Sequence, residues 1–130
     1  MLSDRKAWTA LAMCMAIGGG CTEKQQEPEG KVSFKADVQP ILERNCVVCH
    51  HPGAEGYDTS GLSLESYSNL MKGKKGGPVI VPGSASSSIL VRAVDQSANP
   101  PIVMPHRNPL LPKKDIQLIK AWVNQGALDN

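Results

Sequence analysis

The stretch RNCVVCHHP, residues 44–52, places two cysteines and two histidines within six positions, and no other feature restricts the chain as strongly. Side chains of these types bind metals, form disulfides or attach cofactors covalently. The other cysteines, Cys14 and Cys21, fall within the first 21 residues, so no second pair is available downstream. The metal, disulfide or cofactor at this cluster therefore restricts which structure the chain can form around it.

A zinc site or a redox-active cysteine pair fits the cluster poorly. Zinc needs about four ligands, and outside the cluster only His106 could join it. A thioredoxin-like dithiol would lie between a strand and a helix, and no such pattern surrounds Cys46. A disulfide between Cys46 and Cys49 would close too small a loop to add much stability. A zinc site, a redox-active dithiol and a structural disulfide are therefore the weaker interpretations of the cluster.

The spacing Cys46-x-x-Cys49-His50 is the pattern of covalent c-type haem attachment. On a helix, the third and fourth positions after Cys46 lie at about 300° and 400°, so the three side chains share one face. We predict that Cys46 and Cys49 attach a haem and that His50 is the proximal ligand of its iron. His51 points about 100° away from His50 and is predicted to be a bystander.

The composition is compatible with a core completed by such a group. A chain of 130 residues, 41% of them hydrophobic, predicts one small domain with additional sequence attached. Beyond the first 21 residues, few aromatic residues are available to fill a core: Phe34, Tyr57, Tyr67 and Trp122. Because surface is large relative to volume in so small a domain, a large apolar prosthetic group would make up for the thin core.

Charge and motifs argue against several other functions. The formal net charge is only +2 and the basic residues are dispersed, so nucleic acid is not an expected partner. Lys72, Lys74 and Lys75 form the one local basic cluster, which we interpret as a solvated loop. No Ser/His/Asp set, paired carboxylate site or phosphate-binding glycine loop is visible, so no small-molecule substrate is expected.

Residues 1–21 have the organisation of a targeting signal. A charged start precedes the apolar run AWTALAMCMAI (7–17), and three glycines (18–20) supply the small residues that a signal peptidase needs. The run is too short to cross a bilayer as a helix. Cys21 resembles the lipidated cysteine of a bacterial lipoprotein, although Gly18 stands where that motif usually has an aliphatic residue. We predict lipidation at Cys21, with ordinary cleavage nearby as the alternative.

Residues 22–32, TEKQQEPEGKV, are polar and interrupted by proline and glycine, which predicts a flexible tether. A tether of this length spans about 18 Å on average. We therefore predict a folded domain at residues 33–130, exported to the periplasmic or outer-surface side of the cell envelope and held near the membrane by the lipid.

Past the tether, the pattern is one of helices and loops without strand alternation, which predicts an all-α domain. A first helix is predicted over about residues 37–49, with Asp37 as a possible cap. Three more helices are predicted. A short one around 64–71 ends at Gly73, and one around 89–94 is capped by the preceding serines. The last lies between Pro112 and Gly126, and its apolar stripe consists of Ile116, Ile119, Trp122 and Val123.

The iron of a haem needs a second axial ligand, and the candidates are Met71, Met104 and His106. Met104 lies in NPPIVMPHRNPLLP, residues 99–112, where five prolines stiffen the backbone and remove amide donors. Such a loop can hold a thioether against iron with little entropy left to lose. Met71 stands beside Leu70 on a helix face and is predicted to fill the core. We favour Met104, with His106 or an open position as alternatives.

Four segments of the chain resemble a known family: FKADVQPILERNCVVCH (34–50), GLSLESYSNLMKGKKGGPVIVPGSASSSILVRAV (61–94), MP (104–105) and LLPKKDIQLIKAWVNQGA (110–127). They are similar to a monohaem class I cytochrome c, and in detail to the small cytochrome c domains of exported planctomycete proteins. The resemblance implies a small all-α cytochrome c fold, with about four helices and long loops around one covalently attached haem c. It also implies attachment at Cys46 and Cys49, iron ligation by His50 and Met104, and packing of Trp122 where the first and last helices cross.

Filling of both axial positions by His and Met leaves no place for a substrate, so we predict an electron carrier rather than an enzyme. Its partners would be redox proteins at the membrane surface. Family members often have Met-Pro-Pro where this chain has Met104-Pro105-His106. A haem enzyme or gas sensor with a labile or absent distal ligand is therefore the alternative. A third hypothesis is a surface interaction module that carries haem mainly for folding.

Overall fold

The computed structural model describes residues 28–107 and 109–130, so the predicted targeting signal, Cys21 and most of the predicted tether lie outside it. Within these ranges the chain forms helices joined by loops, with one isolated bridge between Lys74 and Gly77 and no strand. The domain is therefore all-α over the described residues, as predicted. Its elements are a π-helical turn, Phe34–Val38, and the helices α1 Gln39–Asn45, α2 Glu55–Ser60, α3 Tyr67–Lys72, α4 Ile89–Val94 and α5 Lys113–Asn124.

The first predicted helix, 37–49, begins and ends earlier than expected. Ser33 is the cap: its hydroxyl accepts a backbone N–H of the first turn, and the Asp37 carboxylate accepts the Ser33 N–H at 2.8 Å. The α-helical part ends at Asn45, whose side-chain amide donates to the Ile41 carbonyl at 2.8 Å and shares that acceptor with the backbone. The chain then continues through Cys46 to His50 as hydrogen-bonded turns.

The remaining boundaries follow the sequence signals with two exceptions. α3 ends at Gly73, whose φ of 81° glycine adopts readily, and α5 is followed by Gly126 at φ 104°. Ser88 precedes α4 as predicted, but it does not cap the helix, because its hydroxyl accepts the Val81 N–H and donates to the Ser84 carbonyl, both at 2.8 Å. α2 was not predicted, since its sequence EGYDTS has no apolar stripe and buries no residue.

The core is centred on three aromatic rings. The ring centroids of Trp122 and Phe34 lie 5.3 Å apart, and the Tyr67 ring packs edge-on against Phe34, also at 5.3 Å. Trp122 is only 1% exposed and Phe34 2%. The π-helical turn at the start of the domain therefore meets α5 at Trp122, where the first and last helices were predicted to cross.

The beginning and the end of the described chain are joined beside this core. The Gln125 side chain accepts the Val32 N–H at 2.8 Å and donates to the Gly30 carbonyl at 2.9 Å. The Asn130 side chain donates to the Val32 carbonyl at 3.2 Å, and Val32 is buried. Residues 30–32, which the sequence assigned to the tether, therefore contact the domain.

Candidate haem site

The segment from Cys46 to His50 forms a tight turn immediately after α1. The backbone N–H groups of Cys49 and His50 donate to the Cys46 carbonyl at 3.1 and 3.0 Å. Cys46 is half-buried, Cys49 is exposed, and neither takes part in a disulfide. Burial, followed by the proximity of Cys49, raises the pKa of the Cys46 thiol to about 11. The turn thus presents two unpaired thiols and an imidazole within five residues.

His50 carries a buried nitrogen without a hydrogen-bond partner. Its Nδ1 is the single such side-chain nitrogen or oxygen among residues 28–107 and 109–130. Burial lowers the pKa of the imidazole; the backbone of Leu62 opposes this effect, and the charge of His106 adds to it. The lowered pKa favours the neutral imidazole, which is the form that ligates metals.

α2 packs against this turn through Gly56. A Cβ at position 56 would lie 2.6 Å from the Cys49 carbonyl oxygen and 3.0 Å from Cε1 of His50. The backbone N–H of Tyr57 donates to the same Cys49 carbonyl at 3.1 Å. Because a side chain larger than hydrogen would collide with backbone, Gly56 sets how closely α2 approaches the imidazole.

We expect Gly56→Ala to displace α2 or the Cys46–His50 turn, because the added methyl group meets a backbone carbonyl that cannot rotate away. Overpacking of this kind costs about 1–3 kcal/mol of unfolding free energy. Urea unfolding measures this loss, and the haem absorption spectrum should change with it. Gly76→Ala is the matched control, since a Cβ there meets only the flexible end of Lys74. Equal stability and equal spectra in the two variants would contradict the assigned role of Gly56.

The loop that carries Met104 is attached to α4, and its residue His106 acts on His50. The Met104 N–H donates to the Ala93 carbonyl in the last turn of α4 at 3.1 Å, and the Met104 side chain packs partly buried against the core. The charge of His106 reaches the His50 ring. These contacts bring the two predicted parts of the site to one region of the molecule.

An ion pair connects the end of this loop to α2. Arg107 Nη2 lies 3.1 Å from a carboxylate oxygen of Glu55, the first residue of α2. Both side chains are largely exposed, so the pair contributes little stability by itself. Its importance is geometric, because it links the residues after Met104 to the helix that packs on His50.

α4 is held against α5 by a shorter ion pair, between Asp95 and Lys120 at 2.7 Å. Burial acts to raise the pKa of Asp95, but hydrogen bonds from Lys120 and Ser97 outweigh it and lower that pKa below its ordinary value. Asp95 is therefore ionised at neutral pH. The pair anchors the end of α4 that receives the Met104 N–H.

The other residues singled out from the sequence lie away from this arrangement or outside the described residues. Met71 packs partly buried against the core. Nδ1 of His51 lies 3.0 Å from the carbonyl oxygen of Pro52 at the surface. Cys21 lies among residues that the structure does not describe. Gly56 and the Arg107–Glu55 pair were not identified from the sequence, since neither a glycine nor opposite charges 52 positions apart form a local signal.

Within residues 28–107 and 109–130, no group of three or more His, Cys, Asp or Glu side chains is arranged to hold a metal ion. None of the described helices is both long and apolar enough to cross a bilayer.

The residues present fit a covalently bound haem. Cys46 and Cys49 are unpaired thiols in one turn, and His50, whose buried Nδ1 has no hydrogen-bond partner, follows Cys49 directly. Met104 offers a thioether from a proline-rich loop and is partly buried against the core. Thiols for attachment with a histidine and a methionine for the iron are the donor set of c-type haem proteins. The class of protein that this fold and this site define is the c-type cytochrome.

Comparison with known proteins agrees with this class. Residues 46–107 match the family model described as planctomycete cytochrome C. This match confirms, over residues 46–107, the resemblance predicted from the sequence, and the matched family implies a covalently bound haem c.

A solved structure supports the fold. The chain is similar to hydrazine synthase of Kuenenia stuttgartiensis, with a TM-score of 0.52 and 22% identity, over 74% of this chain. It spans 16% of the length of that protein chain, and at this identity the likeness concerns the fold alone. No curated protein sequence matches the chain.

Proposed function

We propose that the chain is an exported monohaem c-type cytochrome that transfers one electron at a time. Cys46 and Cys49 would hold the haem, and His50 and Met104 would be its axial ligands. The observation that carries this proposal is the approach of loop 104–107 to the Cys46–His50 turn, through the charge of His106 on His50 and the ion pair to α2. A nitrogen and a sulfur from separate segments of the chain would then be available to one haem.

When bound, the haem supplies an iron that alternates between ferrous and ferric states. The residues of the chain would set the reduction potential of the iron and limit its chemistry to electron transfer. Burial keeps the His50 imidazole neutral, and Gly56 lets α2 press against its ring. The Ala93 carbonyl accepts the Met104 N–H and so fixes the backbone of Met104, whose thioether on the iron would raise the reduction potential. If His50 and Met104 both ligate the iron, no position would remain at which a substrate could bind it.

The absorption spectrum of the ferric protein tests the ligand assignment. We expect Met104→Ala to abolish the weak long-wavelength iron–sulfur band and to lower the reduction potential on the order of 100 mV, because axial ligands set haem potentials over a wide range. Met71→Ala is the matched control and should keep the band, since Met71 packs against the core.

Two outcomes would contradict this assignment. A ferric spectrum that lacks the band in the unaltered protein and does not change in Met104→Ala would remove Met104 from the iron; loss of ligation in His106→Ala would then assign His106. Ready binding of carbon monoxide by the ferrous protein at neutral pH would show an open position. That result would favour the haem enzyme or gas sensor.

We also propose that a lipid on Cys21 holds the cytochrome at the membrane, where it exchanges electrons with redox proteins of the same surface. Because residues 30–32 are fixed to the domain, a lipid on Cys21 would keep the domain close to the membrane. We expect Cys21→Ser to move the haem protein from the membrane fraction to the soluble fraction, as measured by haem staining. Cys14→Ser, within the apolar run, is the control and should leave the protein with the membrane. An unchanged distribution in Cys21→Ser would contradict the anchor.

A further inference from the structure

The loop after α3 holds a cluster of lysines in a fixed position. A Cβ on Gly73 would lie 2.5 Å from the Gly77 carbonyl oxygen, so the loop closes only with glycine there. The backbone N–H of Lys74 donates to the Gly77 carbonyl at 3.0 Å, and the Gly77 N–H donates to the Lys74 carbonyl at 2.9 Å. Lys74 and Lys75 therefore project from a closed turn and not from an extended, unconstrained segment.

A cavity of about 420 Å³ lies beside this turn. Its volume is within the range of pockets that take small organic molecules. Lys72, Lys74 and Lys75 are exposed, which agrees with the interpretation of the cluster as a solvated loop, and they also share a concave surface with α2. The residues that line the cavity are Tyr57, Asp58, Gly61, Lys72, Gly73, Lys74 and Lys75.

The cavity carries positive charge that the described chain does not neutralise. Lys72, Lys74 and Lys75 bring three ammonium groups, and Asp58 brings one carboxylate. The ion pairs formed within residues 28–107 and 109–130 all join other side chains. Positive charges gathered in a concave surface focus the electric field and raise the local concentration of anions.

Two hydrogen bonds hold Lys75 in the wall of the cavity. Its ammonium group donates to the backbone carbonyl of Asp58 at 2.8 Å, and its backbone N–H donates to the Ser60 carbonyl at 2.8 Å. Gly61 leaves space for its stem, since a Cβ there would lie 2.7 Å from Lys75 Cγ. An ammonium group that is already held loses less side-chain entropy when it binds an anion.

We propose that this cavity binds a small soluble oxyanion through Lys72, Lys74 and Lys75. Ammonium groups bind phosphate and carboxylate oxygens by charge-assisted hydrogen bonds, which are stronger than neutral ones. The cavity is separate from the residues assigned to the haem, although Tyr57 lines it and also bonds the Cys49 carbonyl through its backbone. The proposal does not depend on which residue ligates the iron.

Pyrophosphate is the probe for this site. Titrated into ¹⁵N-labelled, haem-loaded ferrous protein at constant ionic strength, it should cause saturable shifts of the amide signals of residues 57–61 and 72–77. The double variant Lys72→Gln with Lys74→Gln should weaken binding about tenfold or more. The double variant Lys113→Gln with Lys114→Gln removes the same charge from exposed lysines of α5, and it should change the affinity by no more than about twofold.

Three results would overturn the proposal. Shifts that grow linearly without saturation, or an equal loss of affinity in the two double variants, would mean that pyrophosphate responds only to net charge. Binding of phosphatidylglycerol vesicles without any response to pyrophosphate would assign the lysines to a lipid surface instead of a soluble anion. The haem spectrum is recorded for each variant, so that loss of haem is not mistaken for loss of anion binding.

Discussion

The double variant Cys46→Ala with Cys49→Ala should yield a chain without covalently bound haem. The two thiols are the attachment points that the turn offers, and neither is engaged in a disulfide. Without thioether bonds, any haem that remains is held only by its axial ligands and by packing, so acidified acetone should extract it. Haem staining after denaturing electrophoresis and the intact mass of the chain measure the covalent bond directly.

Single variants and a remote cysteine make this prediction specific. Cys46→Ala and Cys49→Ala should each retain at most one thioether, whereas Cys14→Ala should retain full attachment, since Cys14 falls in the predicted targeting signal. Haem that stays on the denatured chain of the double variant would refute attachment at these cysteines. Absence of covalent haem from the unaltered exported protein would refute the proposed function as a whole.

Replacement of Trp122 by alanine should cause the largest loss of stability, about 3–5 kcal/mol. The ring is 1% exposed and lies 5.3 Å from Phe34, centroid to centroid. Its Nε1–H donates to the Leu128 carbonyl at 2.9 Å, so truncation also removes a hydrogen bond from the end of the domain. The free energy of unfolding of a small domain is about 5–15 kcal/mol, so the loss in Trp122→Ala is a large part of the total. Urea unfolding of the haem-loaded protein measures it.

Two further variants separate packing from the hydrogen bond. Trp122→Phe keeps an aromatic ring in the core but lacks the donor, and it should cost less than Trp122→Ala. Leu128→Ala truncates a side chain that is 47% exposed and should cost about 1 kcal/mol or less. A loss below about 1 kcal/mol in Trp122→Ala would show that the contact between the π-helical turn and α5 does not determine stability.

The accuracy of the sequence-based predictions followed the strength of the local signal. α5 was predicted well because Ile119, Trp122 and Val123 form an apolar stripe that ends before Gly126. α2 was missed because it buries no residue. Ser88 was expected to cap α4, but its hydroxyl bonds the Val81 N–H, a contact that depends on how the preceding loop folds back.

The sequence by itself determined the chemistry of the candidate site. Cys46, Cys49 and His50 lie within one turn, so their relation depends only on local geometry, and the family match over residues 46–107 agrees with that interpretation. The tertiary structure decided what surrounds this turn: Gly56 against the imidazole and loop 104–107 near it. It also placed Lys72, Lys74 and Lys75 along the wall of a cavity. The physical reason is that contacts between distant parts of a chain arise from the packing of the whole domain, which no short pattern of residues specifies.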